Sequence, residues 1–231
     1  MPGMNETLKP EFRPIRSFVL RQGRLTTAQE RILQERGDFY CLDARKPWQS
    51  PWDTSRPLML EIGFGNGEHL AQFAQSHPDW GCLGAEVHGP GVGSLLLRAE
   101  AAGLMNLRVL HEDVVPWLRA LPDSTLSLIV VQFPDPWPKK RHHKRRIIQA
   151  DFLALLGRVV RPGGELQLAT DWEPYAEQML ALLDAADGWE NLAGVGNYGS
   201  PPENRIQTRF ERRGTALGHQ VFDLHFRRRG R

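Results

Sequence analysis

Residues 133–146 read FPDPWPKKRHHKRR. Prolines at 134, 136 and 138 restrict the backbone around one carboxylate, Asp135, and one indole, Trp137, so both side chains are held rather than mobile. The turn follows a strand pattern, and the carboxyl ends of central strands are where doubly wound sheets place chemistry. A rigid connector with a packed Trp fits the same residues and stays open at this level. Directly afterwards, Lys139, Lys140, Arg141, Lys144, Arg145 and Arg146 place six positive charges in eight residues, with His142 and His143 between them. Phosphates are the natural partner of such a block, which makes Arg141–Arg146 a candidate nucleic-acid contact beside that turn. No carboxylate cluster lies near His142 and His143 in sequence. They are read as adding partial charge, and no metal is expected.

A second stretch, LEIGFGNGEHL (60–70), has the pattern of a strand, a glycine turn and a helix start. Gly63 and Gly65 allow backbone to approach a ligand closely. The dinucleotide fingerprint would need glycine at 68, where this chain has Glu68, a poor neighbour for pyrophosphate. A nicotinamide dehydrogenase is therefore disfavoured. The G-x-G-x-G form suits S-adenosylmethionine, which has no phosphates and carries positive charge. Three acids agree with that charge: Glu61 ends the first strand pattern, Glu86 the second, and Asp113 follows the third. Glu86 stands where a carboxylate grips ribose hydroxyls. Each acid taken singly also suits the capping of the next helix; their recurrence at successive strand ends points to a binding crevice. Asp171, in ATDW (169–172), and the stretch TRFERRG (208–214) join this list, with a helix cap and a basic surface loop as their alternatives.

Positioning such residues takes a parallel sheet, and the hydrophobic pattern supplies one. Strands are expected at Leu58–Ile62, Cys82–Val87, Leu107–Leu110, Leu126–Phe133 and Glu165–Ala169. Helices are expected at Glu68–Ser76, Val92–Ala102, Ile147–Val160 and Pro174–Ala186, and Val221–Phe226 alternates like an antiparallel edge strand. Alternation of this kind defines an α/β, Rossmann-like, mostly parallel doubly wound sheet with an antiparallel edge strand. Residues 1–57 form an N-terminal tail and extension, with a helix at Thr26–Arg36 capped by Thr26 or Thr27 and Glu30 at capping-box spacing. Residues 58–231 form the main domain, which carries the basic segments.

Bulk properties limit the partners. The formal net charge is only +2, yet residues 205–231 hold eight Arg against Glu211 and Asp223. Charge segregated into two such segments favours a polyanion, although two solvated basic faces would look alike. Cys41 and Cys82 match no metal or redox spacing and read as free thiols in a reducing compartment. The N-terminus lacks the apolar core of a signal peptide, and no apolar run approaches the roughly 18 residues of a membrane span. A soluble, cytoplasmic protein is expected, as monomer or homodimer and without an obligatory protein partner.

Six stretches together carry a family resemblance: IRSFVLRQGRLTTAQ (15–29), EIGFGNGEHL (61–70), GAEVHGPGVGSLL (84–96), FPDPWPKKRHHKRRI (133–147), TDWEPYAEQML (170–180) and TRFERRGTALGHQVFDL (208–224). The chain resembles the bacterial tRNA (guanine-N7-)-methyltransferases from about Ile15 to Phe226. The resemblance implies a class I S-adenosylmethionine-dependent methyltransferase fold. It also implies methyl transfer to N7 of guanine 46 in the tRNA variable loop, giving 7-methylguanosine and S-adenosylhomocysteine. By position it assigns Glu61, Glu86, Asp113 and Asp135 to the cofactor, with Asp135 also the active-site acid. Lys139, Asp171, Thr208, Arg209, Phe210 and Glu211 fall to the substrate, and Arg141, His142, His143, Lys144, Arg145 and Arg146 to the tRNA. The family's Arg-Pro-x-Thr is here Arg205-Ile206-Gln207-Thr208, which loosens that loop. Two other readings stay open. DPW partly matches the Asp-Pro-Pro-aromatic turn of amino-group methyltransferases, whose acid hydrogen-bonds a base and whose ring stacks on it, so an exocyclic amine is an alternative target. The other is an RNA-binding protein with a vestigial cofactor fold, against which the intact Gly63, Gly65, Glu86 and Asp113 argue.

Overall fold

The computed structural model describes residues 17–18, 23–202, 211 and 220–230. Strands β1 (Leu58–Ile62), β2 (Gly81–Ala85), β3 (Leu107–Leu110), β4 (Leu126–Gln132) and β5 (Val160–Thr170) pair in parallel, in the order β3-β2-β1-β4-β5. β1 and β2 are buried at every position, as expected of strands covered on both faces. Alternation along the strands sends successive side chains to opposite layers. Leu58, Leu60 and Ile62 of β1, with Ile129 and Val131 of β4, enter one core; Met59, Leu128 and Val130 enter the other.

Helices α1 (Thr27–Tyr40), α2 (Glu68–Ser76) and α3 (Gly89–Ala101) cover the Met59 face, contributing Ile32, Leu70, Phe73, Leu95 and Leu96. Helices α4 (Val114–Ala120), α5 (Ala150–Val159) and α6 (Glu173–Asp184) cover the other with Trp117, Leu118, Leu153, Leu156, Met179 and Leu183. Burying one such side chain contributes roughly 1.5–3 kcal/mol, so the two layers dominate stability. The N-terminal extension shares this core from α1 onward. Gln29 Nε2 donates to Pro90 O (3.1 Å) and Ser94 Oγ (2.9 Å) on α3, and Arg36 pairs with Glu100 at 2.9 Å.

Several boundaries differ from expectation, each for a local reason. Helix α1 is capped by Thr26, and the residue closing the capping box is Gln29, not Glu30. Helix α5 starts at Ala150 rather than Ile147, since residues 140–145 form a separate 3-10 turn that ends in an extended Arg146. Helix α4 was not expected. The antiparallel strand β7 (Phe222–Arg228) pairs with β5 but lies one position inside the edge, because a three-residue strand, β6 (Trp189–Asn191), pairs along its outer side.

Candidate nucleotide and RNA site

Strand order reverses between β1 and β4, where an open α/β sheet leaves a crevice at the carboxyl ends of its strands. A cavity of about 420 Å³ lies there, within the range of about 300–1,000 Å³ typical of small-molecule sites. Each central strand contributes a rim: Ile62 and Gly63 at the end of β1, Glu86, Val87 and His88 after β2, Glu112 and Asp113 after β3, Gln132 to Asp135 at the end of β4. Ile147 and, from the N-terminal segment, Ser17 and Phe18 complete the wall.

The glycine turn is built by backbone conformation. Gly63 (φ 72°), Gly65 (φ 58°) and Gly67 (φ 73°) all occupy the left-handed region, where a side chain is strained. Gly91, in the first turn of α3, lets that turn approach. A Cβ at residue 91 would stand 2.2 Å from the carbonyl oxygen of Gly65. Glu86 then locks the turn: Oε2 accepts from Gly65 N at 3.0 Å, and Oε1 accepts from Val87 N (2.7 Å) and His88 N (2.9 Å). A carboxylate has about four acceptor sites, so these three bonds leave one, on a residue that lines the cavity. Asp113 both caps a helix and reaches the cavity. Its Oδ1 accepts from Val115 N at 3.0 Å, capping α4, and the residue also lines the cavity. Glu86, Glu112, Asp113 and Asp135 make the described lining strongly acidic; it holds no Lys or Arg.

Glu61 is placed differently. It is 3% exposed, lies 2.8 Å from His69 Nδ1 through Oε2, and does not line the cavity. Residue 61 falls on the Met59 face of β1, so strand alternation directs it under α2 rather than into the crevice.

Asp135 is exposed at the cavity rim. Its turn is shaped by positive φ at Phe133 (49°) and Trp137 (45°), and anchored by Phe133 N donating to Ala169 O at 2.7 Å. Trp137 does not present an open ring. Its Nε1 donates to Ser17 O (3.2 Å), Arg145 lies over the ring at 4.8 Å, and His142 meets it edge-on at 5.8 Å. Stacking on a base is therefore not the role its surroundings give it; it fastens the turn to the N-terminal segment.

Lys139, Lys140, Arg141 and Lys144 are exposed on and beside the 3-10 turn, and His142, His143 and Arg145 are partly exposed. Desolvation, then the neighbouring cations Arg141, Arg145, Lys139 and Lys144, hold His142 below the ordinary imidazole value. It consequently adds less charge to the block than its sequence neighbourhood implies. Arg146 departs from its expected place on the RNA face. It is 3% exposed and donates inward, to Pro136 O, Pro174 O and Gln178 Oε1, because the chain turns down into the core at Ile147 and Ile148.

Asp171 is partly buried at the end of β5 and does not cap α6, whose N-cap is Trp172. Trp172 is 38% exposed, a large aromatic at the carboxyl end of the strand next to β4. Glu211 is buried; Thr208, Arg209 and Phe210 lie outside the described residues. Sequence reasoning missed Ser17, Phe18, His88, Glu112 and Gln132 in the cavity wall. Glu112 had a signal, adjacency to Asp113 after a strand. Ser17 and Phe18 had none locally, since Trp137 holds their segment from 120 positions away.

Residues 55–224 match the family model described as "Putative methyltransferase". The chain is 59% identical to the tRNA (guanine-N(7)-)-methyltransferase of Acidithiobacillus ferrooxidans, with 97% of this chain and 99% of that one covered. It is 47% identical to the enzyme of the same name from Alcanivorax borkumensis, covering 94% and 93%. Among solved structures, the 16S rRNA methyltransferase KamB superposes with a TM-score of 0.56 at 18% identity, covering 90% of this chain and 96% of that one. A single-substitution mutant of the 16S rRNA (adenine(1408)-N(1))-methyltransferase from Catenulisporales acidiphilia, solved with cosubstrate SAM, gives 0.51 at 17%, covering 80% and 95%. These two show the fold alone, that of class I S-adenosylmethionine-dependent methyltransferases. With an acidic crevice at the sheet's switch point and relatives matching almost its whole length, this chain belongs to the bacterial tRNA (guanine-N7-)-methyltransferase family.

Proposed function

We propose that the protein methylates N7 of guanine 46 in the tRNA variable loop, with S-adenosylmethionine as donor. The observation that carries this reading is a crevice lined, among the described residues, by four carboxylates and no Lys or Arg, adjoining a turn that presents Lys139, Lys140, Arg141 and Lys144 to solvent. Acids gathered from the ends of three strands and cations on the adjoining turn thus form two separate zones: a cationic small molecule suits the first and a phosphate chain the second.

The residues fit the cofactor. S-adenosylmethionine, when bound, supplies a methyl group on a positively charged sulfur. Glu86, preset by three backbone N–H groups, has an acceptor site left for ribose hydroxyls, and Asp113, on the cavity wall, would meet the adenine amino group. Glu61 would act indirectly, through its contact with His69 in the first turn of α2. Guanine N7 has a lone pair and no proton, so no general base is required. What the protein supplies is alignment, for which positioning contributes on the order of 7–11 kcal/mol. The purine becomes cationic as N7 is alkylated, and the Asp135 carboxylate at the rim stabilises that charge. Lys139, Asp171 and the segment Thr208–Glu211 hold the substrate in this reading, with Arg141–Arg145 on the tRNA backbone. Trp172 replaces Trp137 as the aromatic available to a base.

Labelled cofactor and unmodified tRNA, incubated with the purified protein and digested to nucleosides, test the reading. The expected product is 7-methylguanosine, mapped to position 46 by borohydride–aniline cleavage. Methyl on an exocyclic amine, or cofactor and tRNA binding without transfer, would replace it.

A further inference from the structure

Arg146 ends the cation block in sequence but belongs to the interior in space. Nε donates to Pro136 O at 2.8 Å, the carbonyl between Asp135 and Trp137. Nη1 donates to Pro174 O (3.3 Å) and Gln178 Oε1 (2.5 Å) in the first turns of α6. The guanidinium lies 4.7 Å from the centre of the Tyr175 ring, and the Tyr175 hydroxyl accepts from Ile148 N at 3.1 Å. Gln178 Nε2 closes the network by donating to Ile148 O at 3.3 Å. Every one of these partners is neutral. A charge buried among carbonyls and one aromatic face is held for geometry, since neutral partners leave its desolvation incompletely compensated.

We propose that Arg146 is a positioning residue for methyl transfer: it clamps the Asp135 turn to the start of α6, and so sets Asp135 relative to Asp171. The two acids sit on loops after neighbouring strands, and the pairing of β4 with β5 fixes only the strand ends (Gln132 beside Ala169). Beyond those ends, Arg146 ties the loop after β4 at Pro136 to α6 at Pro174 and Gln178, the helix that begins two residues after Asp171. A planar fork reaching three acceptors is specific to arginine; lysine keeps the charge and loses the fork. The inference rests on the reading that Asp135 faces the reacting base.

The test compares Arg146→Lys with Lys144→Ala. Arg146→Lys should lower the single-turnover rate, at saturating tRNA and cofactor and normalised to cofactor-binding sites, by about tenfold or more, since misplacement of the order of 1 Å costs about a hundredfold. Its tRNA Kd and salt slope should stay near the wild-type values, whereas Lys144→Ala weakens tRNA binding and flattens the slope. Trp137 should report the same displacement without any reaction, as an emission change in Arg146→Lys that vanishes in a Trp137→Phe background. Loss of tRNA affinity with an unchanged saturated rate would return Arg146 to the RNA face and overturn the proposal. A lower melting temperature with an unchanged rate per site would also overturn it, by leaving only a structural role. If the wild type forms no 7-methylguanosine, the proposed function fails instead, and the Trp137 signal still decides whether the clamp exists.

Discussion

Asp135 and Asp113 show how one residue type takes two roles from its neighbours. Asp113 has backbone to satisfy and caps α4; Asp135 is exposed at the rim, next to no helix start. Its carboxylate is therefore available as an electrostatic partner. Asp135→Asn keeps the shape and removes the charge, so cofactor and tRNA affinities should hold while the single-turnover rate falls at least about tenfold, by analogy with the loss of other preorganised charge-stabilising groups. An unchanged rate with tRNA bound would refute the role. The cysteines give a second residue-scale expectation. Burial pushes the Cys82 thiol up to about 12, with the acids Glu61 and Asp79 adding to the shift, and burial also raises Cys41. A raised thiol pKa means the reactive thiolate is scarce at every pH below it. At pH 8, a disulfide-exchange reagent should leave Cys82 untouched until the protein is unfolded, and label the less buried Cys41 first.

Among elements, the contact of α3 with the glycine turn decides whether the crevice exists. Gly91 is the point of closest approach, and the atom a Cβ would meet is backbone, which does not swing aside. Gly91→Ala should destabilise the fold by about 1–3 kcal/mol through overpacking, read as a lower melting temperature. Cofactor affinity should fall too, because the Gly65–Glu86 hydrogen bond spans the same contact. Most elements were legible as periodicity, and the exceptions are informative. Helix α4 (VVPWLRA) is seven residues long, with Pro116 in its first turn, too short for a 3.6-residue period to stand out. Its one start signal, Asp113, also fitted a ligand. β6 spans three residues and has no pattern to read.

Over the whole molecule, charge is arranged in two zones: acids inside the crevice and cations on the turn beside it. A net charge of +2 conceals this arrangement. Replacing Lys140, Arg141 and Lys144 together with alanine should weaken tRNA binding and reduce the slope of log K against log salt by roughly 0.7–0.9 for each phosphate that is no longer neutralised. Cofactor affinity, measured by calorimetry, should be unaffected. Equal loss of both affinities would show the turn to be part of the fold's framework instead.

Alternating apolar runs, glycines at 63, 65 and 67, and acids at strand ends determined by themselves that a parallel sheet would carry an acidic crevice at its carboxyl edge. These features are local, and local sterics fix them. Tertiary structure alone decided which acids face the crevice and which cations face solvent. Glu61 turned under α2 to meet His69, Trp137 was engaged by Ser17 and Arg145, and Arg146 was drawn from the basic block to tie Pro136 to α6. A charge count cannot anticipate such outcomes, because each depends on a partner up to 120 residues away, brought close only when both faces of the sheet are covered.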